Sequence, residues 1–296
     1  MIKLHGVVIA LLTLFKRRGQ EIDFVATGEL IDALLKLDIN GLFVAGSTGE
    51  GPLMSVDERR LLAHFAVDRV GGKIPVLVHT GCLNTRDTIE LTRHARLIGA
   101  DAAVFVPPFY YNFDDRAVSE YCSTIARSVP DYPLFLYNIP VFVKNDFPPK
   151  LVETIAKRHP NIIGIKDSTG SPERLKEYLR IRANNFIVMC GADELSLDGL
   201  MWGTKGSVSA TANVIPTFFT KLYANFQRGN IRAARKWQEK ILEVGRLVWT
   251  PNIVPLMKEM LRLLAMPTGA SRSPQRQLTR AERTRLARGL RELGII

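Results

Sequence analysis

The stretch NIIGIKDSTG, residues 161–170, decides how the rest of the chain is read. Ile162, Ile163 and Ile165 mark a short strand-like run, and Asp167-Ser168-Thr169-Gly170 reads as the turn that ends it. Lys166 stands at the junction. A lysine at the end of a buried strand is costly to desolvate. Burial favours a neutral amine, which can attack a carbonyl to form a Schiff base. Two other segments, VAGSTGE (residues 44–50) and FLYNIP (residues 135–140), pass from apolar to polar in the same way. Together they suggest one active site, built from strand ends, that does covalent carbonyl chemistry.

Working outward, eight apolar runs follow one another: Val7–Phe15, Gly41–Ala45, Ile74–Thr80, Ala102–Pro107, Leu134–Ile139, Ile162–Lys166, Phe186–Cys190 and Gly206–Ala210. Between them lie helical patterns such as FVATGELIDALLKLD, VDERRLLAHFAVDRV and RDTIELTRHARLIG. Alternation of this kind is the rhythm of βαβ units, each helix covering a buried parallel strand. Eight of them over residues 1–225 predict an α/β chain folded as a (β/α)8 TIM barrel. An open doubly wound sheet would want a glycine-rich dinucleotide turn after the first strand, and TLFKRRGQ lacks one.

Strands cease after Ala210, and residues 226–296 read as a helical extension lying on the barrel, with MPTGASRSP as its one clear linker. Helix starts are legible too. Ser55 with Glu58 forms a capping box, Thr85 is a plausible N-cap, Pro148-Pro149 precede LVETIAKR, and Ser171-Pro172-Glu173 opens a further helix.

Composition narrows the class. Hydrophobic residues at 46% and charged residues at 23% are ordinary for a globular protein. The three cysteines, Cys82, Cys122 and Cys190, lie far apart, which argues against a disulfide framework and suits a reducing compartment. The run VVIALLTLF is too short and too poorly flanked for a signal peptide, and no stretch approaches a membrane span, so a cytoplasmic enzyme is expected. A net charge of +11 raises the question of nucleic acid, but seven Arg against two Glu sit in residues 271–296. There Leu278, Leu286, Leu290 and Leu293 recur at near-helical spacing, as in an amphipathic helix with a basic outer face. No nucleic-acid or membrane partner is expected.

In a barrel, catalytic groups sit at the C-terminal ends of strands. Ser47, Thr48 and Gly49 follow strand 2, Tyr110 and Tyr111 follow strand 4, Tyr137 ends strand 5 and Lys166 ends strand 6. Adjacent strands lie about 4.8 Å apart, so Tyr137 and Lys166 can face one pocket. The glycine-rich GSTGEG lacks the Lys-Ser/Thr ending of a phosphate loop, and its hydroxyls and N–H groups suit a carboxylate instead. His79 and Cys82 in HTGC offer only two metal ligands with no companion set, so no metal is expected. The apolar residues Trp237, Ile241, Leu242, Leu247, Val248 and Trp249, with Tyr110 and Tyr111, suggest a homo-oligomer.

GSTGE, YNIP and GIKDS in this order and spacing, with GADELSLDGLMWGTKGSVSATANV at residues 191–214, resemble the dihydrodipicolinate synthase/N-acetylneuraminate lyase family of pyruvate-dependent class I aldolases. The resemblance covers nearly the whole chain. It implies that Lys166 forms an imine with pyruvate or another 2-oxo acid and that Tyr137 relays protons. It implies that Ser47 and Thr48 hold the carboxylate and that Thr48 can also pass a proton to Tyr137. It also implies that Tyr110 or Tyr111 reaches a neighbouring subunit's site, Tyr111 being counted with the catalytic set, and that Gly49, Phe142, Gly191 and Ser209 border the substrate. Tetramers built as dimers of dimers are implied, and no cofactor, since the imine is the electron sink. Synthases of the family usually carry an Arg two residues after the Pro of YNxP, where this chain has Phe142. Phe offers no fork to a second carboxylate, and PPFYYN is nearer the PFYYP and PYYYP stretches of sialic acid lyases and 2-keto-3-deoxygluconate aldolases. Reversible cleavage of a 2-keto-3-deoxy sugar acid to pyruvate and an aldehyde is therefore expected. The alternatives are 4-hydroxy-tetrahydrodipicolinate synthase, N-acetylneuraminate lyase and a noncatalytic pyruvate-binding regulator.

Overall fold

Each of the eight apolar runs becomes a strand. The computed structural model describes residues 2–16, 20–183 and 185–296, and residues 17–19 of TLFKRRGQ lie outside it. The strands are β1 (Gly6–Ala10), β2 (Gly41–Val44), β3 (Val76–His79), β4 (Ala102–Phe105), β5 (Leu134–Asn138), β6 (Ile162–Asp167), β7 (Ile187–Cys190) and β8 (Gly206–Ser209). All neighbours pair in parallel and in sequence order, and β8 returns to β1 to close the barrel. Closure depends on Gly6 meeting Gly206, because a Cβ on Gly206 would lie 2.0 Å from the Gly6 carbonyl oxygen. Inward positions such as Val8, Phe43, Leu77, Val104, Phe135 and Met189 fill the barrel, and a larger apolar layer joins its outer face to the helices.

The first run is shorter as a strand than its apolar length predicts. After Ala10 the backbone leaves the sheet: Leu12 N–H goes to Asn213 Oδ1 at 3.0 Å, Leu14 N–H to Thr27 Oγ1 at 3.2 Å, and Phe15 pairs with Ala270. Burial kept these residues apolar while their hydrogen bonds moved elsewhere.

Between strands run α1 (Phe24–Leu35), α2 (Val56–Val70), α3 (Thr85–Leu97), α4 (Asp115–Ser128), the single turn α5 (Pro140–Val143), α6 (Pro149–Arg158), α7 (Pro172–Leu179) and α8 (Ser196–Trp202). The Ser55/Glu58 capping box on α2 and the Ser171 N-cap on α7 are present. On α3 the cap is Asn84, not Thr85: Asn84 Oδ1 accepts the Asp87 N–H at 2.8 Å, and Thr85 is the first helical residue. Asn outranks Thr at this position.

After β8 come α9 (Pro216–Gln227), α10 (Ile231–Val248), α11 (Ile253–Leu263) and α12 (Arg280–Glu292). On α10 Gln238 reaches the barrel, accepting the Leu197 N–H at 2.9 Å and donating to the Asp193 carbonyl at 2.9 Å. Leu278, Leu286 and Leu290 are buried as the tail pattern predicts. Ile241 and Val248 are fully covered within the chain, so they give no reason for an oligomer. Of the same set Trp249 is exposed, and larger exposed aromatic surface lies at Tyr110, Tyr111 and Phe142. Residues 266–274 are less a linker than a strap: Ala270 bridges to Phe15, and Arg272 reaches back to the start of α2 through Glu58 at 2.7 Å. Among the described residues no helix is long and apolar enough to cross a membrane.

Candidate active site

Register brings the two central groups together. Tyr137 pairs with Lys166 across β5 and β6, so both side chains rise from the same level on the inner wall. Lys166 Nζ lies 4.1 Å from the centroid of the Tyr137 ring and 4.7 Å from that of Phe43. Both residues are buried, at 6% and 3% exposure. Gly191 gives the lysine its room, since a Cβ there would stand 2.8 Å from Lys166 Cε and 2.1 Å from Ser168 Oγ.

The rim above them is held by polar side chains. Asn138 donates to Asp146 Oδ1 at 2.8 Å and to the Tyr178 hydroxyl at 2.9 Å, and accepts the Phe147 N–H at 3.2 Å. These bonds pin the segment after β5, which carries Phe142 to the cavity. Lys144 ends α5 at φ 66° with its side chain on the surface, so it does not stand in for a cation at the site.

The Gly46–Glu50 turn forms another side. Ala45 and Glu50 both sit near φ 57°, and a Cβ on Gly51 would be 1.8 Å from the Ala45 carbonyl oxygen, so the turn admits only glycine there. Its far end is tied down by charge. The Glu50 carboxylate is buried against the Lys258 ammonium and accepts the Arg272 N–H at 2.7 Å. Lys258 also donates to the Ala270 carbonyl at 2.7 Å. Burial pushes the Glu50 carboxyl up, opposed by Lys258 and Arg272, and pushes Lys258 down to about 8.

A third wall is acidic and hydroxylic. Ser168, Thr169, Asp193 and Glu194 line it. Asp193 is held by the hydroxyls of Thr211 and Ser209, and burial raises its carboxyl to about 6 against them. Asp167 is likewise raised by burial to about 6, while its oxygens organise the turn by accepting the Thr169 hydroxyl at 2.9 Å.

These walls enclose a cavity of about 530 Å³, the right scale for a small-molecule site. Among the described residues Lys166 is the only cation on its lining. Of the residues singled out from the sequence, Ser47, Thr48, Tyr137, Phe142, Lys166 and Gly191 line it. Ser209 stands behind Asp193 and is fully buried. Gly49 is packed on the barrel, where a Cβ would meet the Leu11 carbonyl oxygen at 2.9 Å. Tyr110 and Tyr111 point to the surface, 74% and 61% exposed. His79 and Cys82 share a partner: Arg59 donates to His79 Nδ1 and to Cys82 Sγ, both at 3.1 Å. Asp193 and Glu194 were missed in the sequence, although they stand three and four residues past the end of β7, on the face to which a barrel sends its strand ends.

Residues 3–293 match the Dihydrodipicolinate synthetase family. The chain is 34% identical over 267 residues to the putative 2-dehydro-3-deoxy-D-gluconate aldolase YagE of Escherichia coli, covering 88% of this chain and 87% of that one. The crystal structure of YagE in complex with pyruvate superposes with a TM-score of 0.95 at 32% identity, covering 100% of both chains. Identity is 30% over 295 residues with the 4-hydroxy-tetrahydrodipicolinate synthase of Methanopyrus kandleri, covering 99% and 98% of the two chains. With the N-acetylneuraminate lyase of Rhizobium meliloti it is 34% over 280 residues, covering 95% and 92%.

Proposed function

Because the chain belongs to the Dihydrodipicolinate synthetase family, we propose that it is a lysine Schiff-base aldolase that reversibly cleaves a 2-keto-3-deoxy sugar acid, such as 2-keto-3-deoxygluconate, to pyruvate and an aldehyde. The observation that carries this reading is the buried Lys166 amine against Tyr137 on the neighbouring strand. Lys166 Nζ adds to the C2 carbonyl, and loss of water gives a protonated imine. A base takes the proton of the C4 hydroxyl, the C3–C4 bond breaks, and its electron pair moves to C3 as the imine becomes an enamine. The aldehyde departs, C3 is reprotonated, and water releases pyruvate from the lysine. Tyr137 carries protons in these steps, and Ser47 and Thr48 hold the carboxylate. The relay needs no metal or organic cofactor, since the imine accepts the electrons.

The walls of the cavity favour a polyol acceptor. Asp193, Glu194, Ser168 and Thr169 offer acceptors and hydroxyls to sugar hydroxyls. A second carboxylate would face those acids without a cation to meet it, because Phe142 stands where the synthases' Arg is expected. Condensation of pyruvate with aspartate semialdehyde is therefore the weaker reading, N-acetylneuraminate cleavage another, and pyruvate binding without turnover the remaining one. Incubation with pyruvate and borohydride should add one reduced pyruvyl group to Lys166, and Lys166→Ala should take none. No adduct on the wild type refutes the reading. A panel of glyceraldehyde, glycolaldehyde, N-acetylmannosamine and aspartate semialdehyde, compared by kcat/KM, ranks the acceptors. Efficient turnover of aspartate semialdehyde with glyceraldehyde inert overturns the sugar-acid choice.

The same reading includes a homotetramer and a cytoplasmic location. Tyr110, Tyr111 and Phe113 leave an aromatic cluster on the surface, with the Tyr110 and Tyr111 ring centroids 5.0 Å apart, and Tyr110 is held at φ 79°. Either tyrosine would then enter the neighbour's site. Light scattering at micromolar concentration should give a multiple of the 33.1 kDa chain mass, and a monomer refutes the assembly.

A further inference from the structure

The lining of the Schiff-base cavity changes character in order round the barrel. Lys166 ends β6, the acids Asp193 and Glu194 follow β7, and Val208 and Ala210 stand in and just past β8. The C-terminal extension continues that wall. Trp249 and Pro251 come from the connection between α10 and α11, and Ile253 and Val254 from the start of α11. One side of the cavity is therefore cationic, then acidic, then apolar. Gln275 and Phe142 belong to another part of the mouth, where with Ser47 they also border a recess toward Val106 and Phe109.

Trp249 is fixed in this wall from two directions. Its indole N–H donates to Thr211 Oγ1 at 3.3 Å. An indole nitrogen only donates, so Thr211 accepts there and keeps its own proton for Asp193. The ring also lies on the bare backbone of Gly245, since a Cβ there would stand 2.4 Å from Trp249 Cζ2. Thr211 thus joins the aromatic plate to the acid beside it. Trp249 still keeps 37% exposure and lines the cavity. Among the six apolar side chains of this wall, only Trp249 carries a polar atom, and its N–H is already given to Thr211. A hydroxyl brought against the wall would lose water and gain no side-chain partner. A methyl group brought there would gain burial.

We infer that Trp249 and the wall around it select a sugar acid that ends in a methyl group, a 2-keto-3,6-dideoxy acid whose cleavage releases lactaldehyde in place of glyceraldehyde. The inference rests on the Schiff-base reading and narrows it. With C2 on Lys166, the hydroxyls of the next carbons meet Asp193 and Glu194, and the last carbon comes to Trp249 and Ile253. The bond broken is the same C3–C4 bond, and the electrons go to the same imine. Only the far end of the aldehyde differs, a C–H surface where glyceraldehyde carries a hydroxyl. Trp249 is thus a specificity residue, and the C-terminal extension supplies it.

The test condenses pyruvate with lactaldehyde and with glyceraldehyde, each in both configurations at C2, and reads the ratio of kcat/KM within each protein. The two aldehydes differ only in the terminal hydroxyl, and a general loss of rate cancels in the ratio. Borohydride trapping of pyruvate runs alongside. A wild type that traps no pyruvate refutes the Schiff-base reading itself. A wild type that traps pyruvate should prefer lactaldehyde to glyceraldehyde of the same configuration by about tenfold, in at least one configuration. Trp249→Gln removes the plate and should level that preference. Trp249→Phe keeps an aromatic face without the N–H and should retain most of it. Ile253→Thr puts a hydroxyl on the wall and should lower the ratio about threefold, and it carries the test if the Trp249 variants fail to fold. Trapping of pyruvate with no preference for lactaldehyde, or with neither aldehyde turned over, overturns the inference and leaves the imine chemistry standing. A Trp249→Gln enzyme that keeps the ratio, or an Ile253→Thr enzyme with an unchanged one, overturns it too. So does a Trp249→Phe enzyme that loses the ratio as fully as Trp249→Gln, since the bond to Thr211 and not the apolar face would then set the choice.

Discussion

Lys166 with Tyr137, and Lys258 with Glu50, are two buried lysine sites in one barrel, and they are built in opposite ways. Lys166 lies among ring faces, against Tyr137 and Phe43, with no carboxylate in ion-pair contact among the described residues. Lys258 lies on a carboxylate and a carbonyl. Under the proposed mechanism a lysine kept from a permanent partner is left to react with a carbonyl, whereas one locked on Glu50 can only hold things together. What it holds is relevant to the chemistry: Glu50 ends the turn that presents Ser47 and Thr48, and Lys258 and Arg272 fasten that turn to α11 and the strap. One lysine is left without an ion-pair partner among the described residues, and the other is committed to structure.

The largest effect should come from breaking the committed pair. Lys258→Met leaves Glu50 buried against a methionine, and removing one partner of a buried ion pair costs about 3–5 kcal/mol. Urea unfolding should show that loss with little change in m value. Adding Glu50→Gln should recover much of it, because the stranded charge is gone. A Lys258→Met protein as stable as wild type would mean that water or the strap compensates, and the contrast between the two lysines would lose its basis. Tyr137→Phe comes next. It removes one hydroxyl from a buried ring, so the fold should persist, while kcat falls by about a hundredfold, or about 2.7 kcal/mol of transition-state stabilisation. Stability and kcat measured on the same preparations separate the two sites: the first variant should lose mainly stability, the second mainly rate. An unchanged kcat in Tyr137→Phe removes the phenol from the proton relay.

The same contrast explains what could be read in advance. Lys166 announces itself because strand, lysine and turn are consecutive, and a barrel sends every strand end to one face. The Ser55 capping box and the leucine spacing of the tail helix are equally local, and both are present as expected. Glu50 and Lys258 stand 208 residues apart, and no local pattern links them. A faint signal existed in VPLMKEMLRLLA, where Lys258 and Glu259 interrupt an apolar face; both prove buried. Asn84 displaced Thr85 as a cap because two good capping residues were adjacent, and propensity alone separates them weakly. The overlong first run failed for another reason. Leu12, Leu14 and Phe15 are buried like a strand, but their hydrogen bonds run to Asn213, Thr27 and the strap, which only the folded chain supplies. His79 was weighed as a metal ligand, and its bond to Arg59 depends on α2 lying against β3.

The smallest expected effect lies at the acidic wall and sharpens the comparison from the side of the acids. Asp193 is buried like Glu50 but is met by hydroxyls, not by a locked ammonium, and burial raises it to about 6. Its reference value is 3.8, so between roughly pH 4 and 6 the folded chain holds a proton there that the unfolded chain has released. Stability from this group therefore falls as pH rises through that window and stays lower above it, by on the order of 1–3 kcal/mol. Asp167, also raised to about 6, adds a slope of the same sign. Asp193→Asn keeps the shape without the charge, so the variant should gain on the wild type as pH rises from 4 to 7, with the Asp167 share of the slope remaining. Urea unfolding of both proteins across that range measures the difference, in which the titrations they share cancel. A difference that does not change with pH would mean that Asp193 is ionised throughout, paired more tightly than its hydroxyl partners allow, and the acidic wall would then carry a full charge toward any substrate in the cavity.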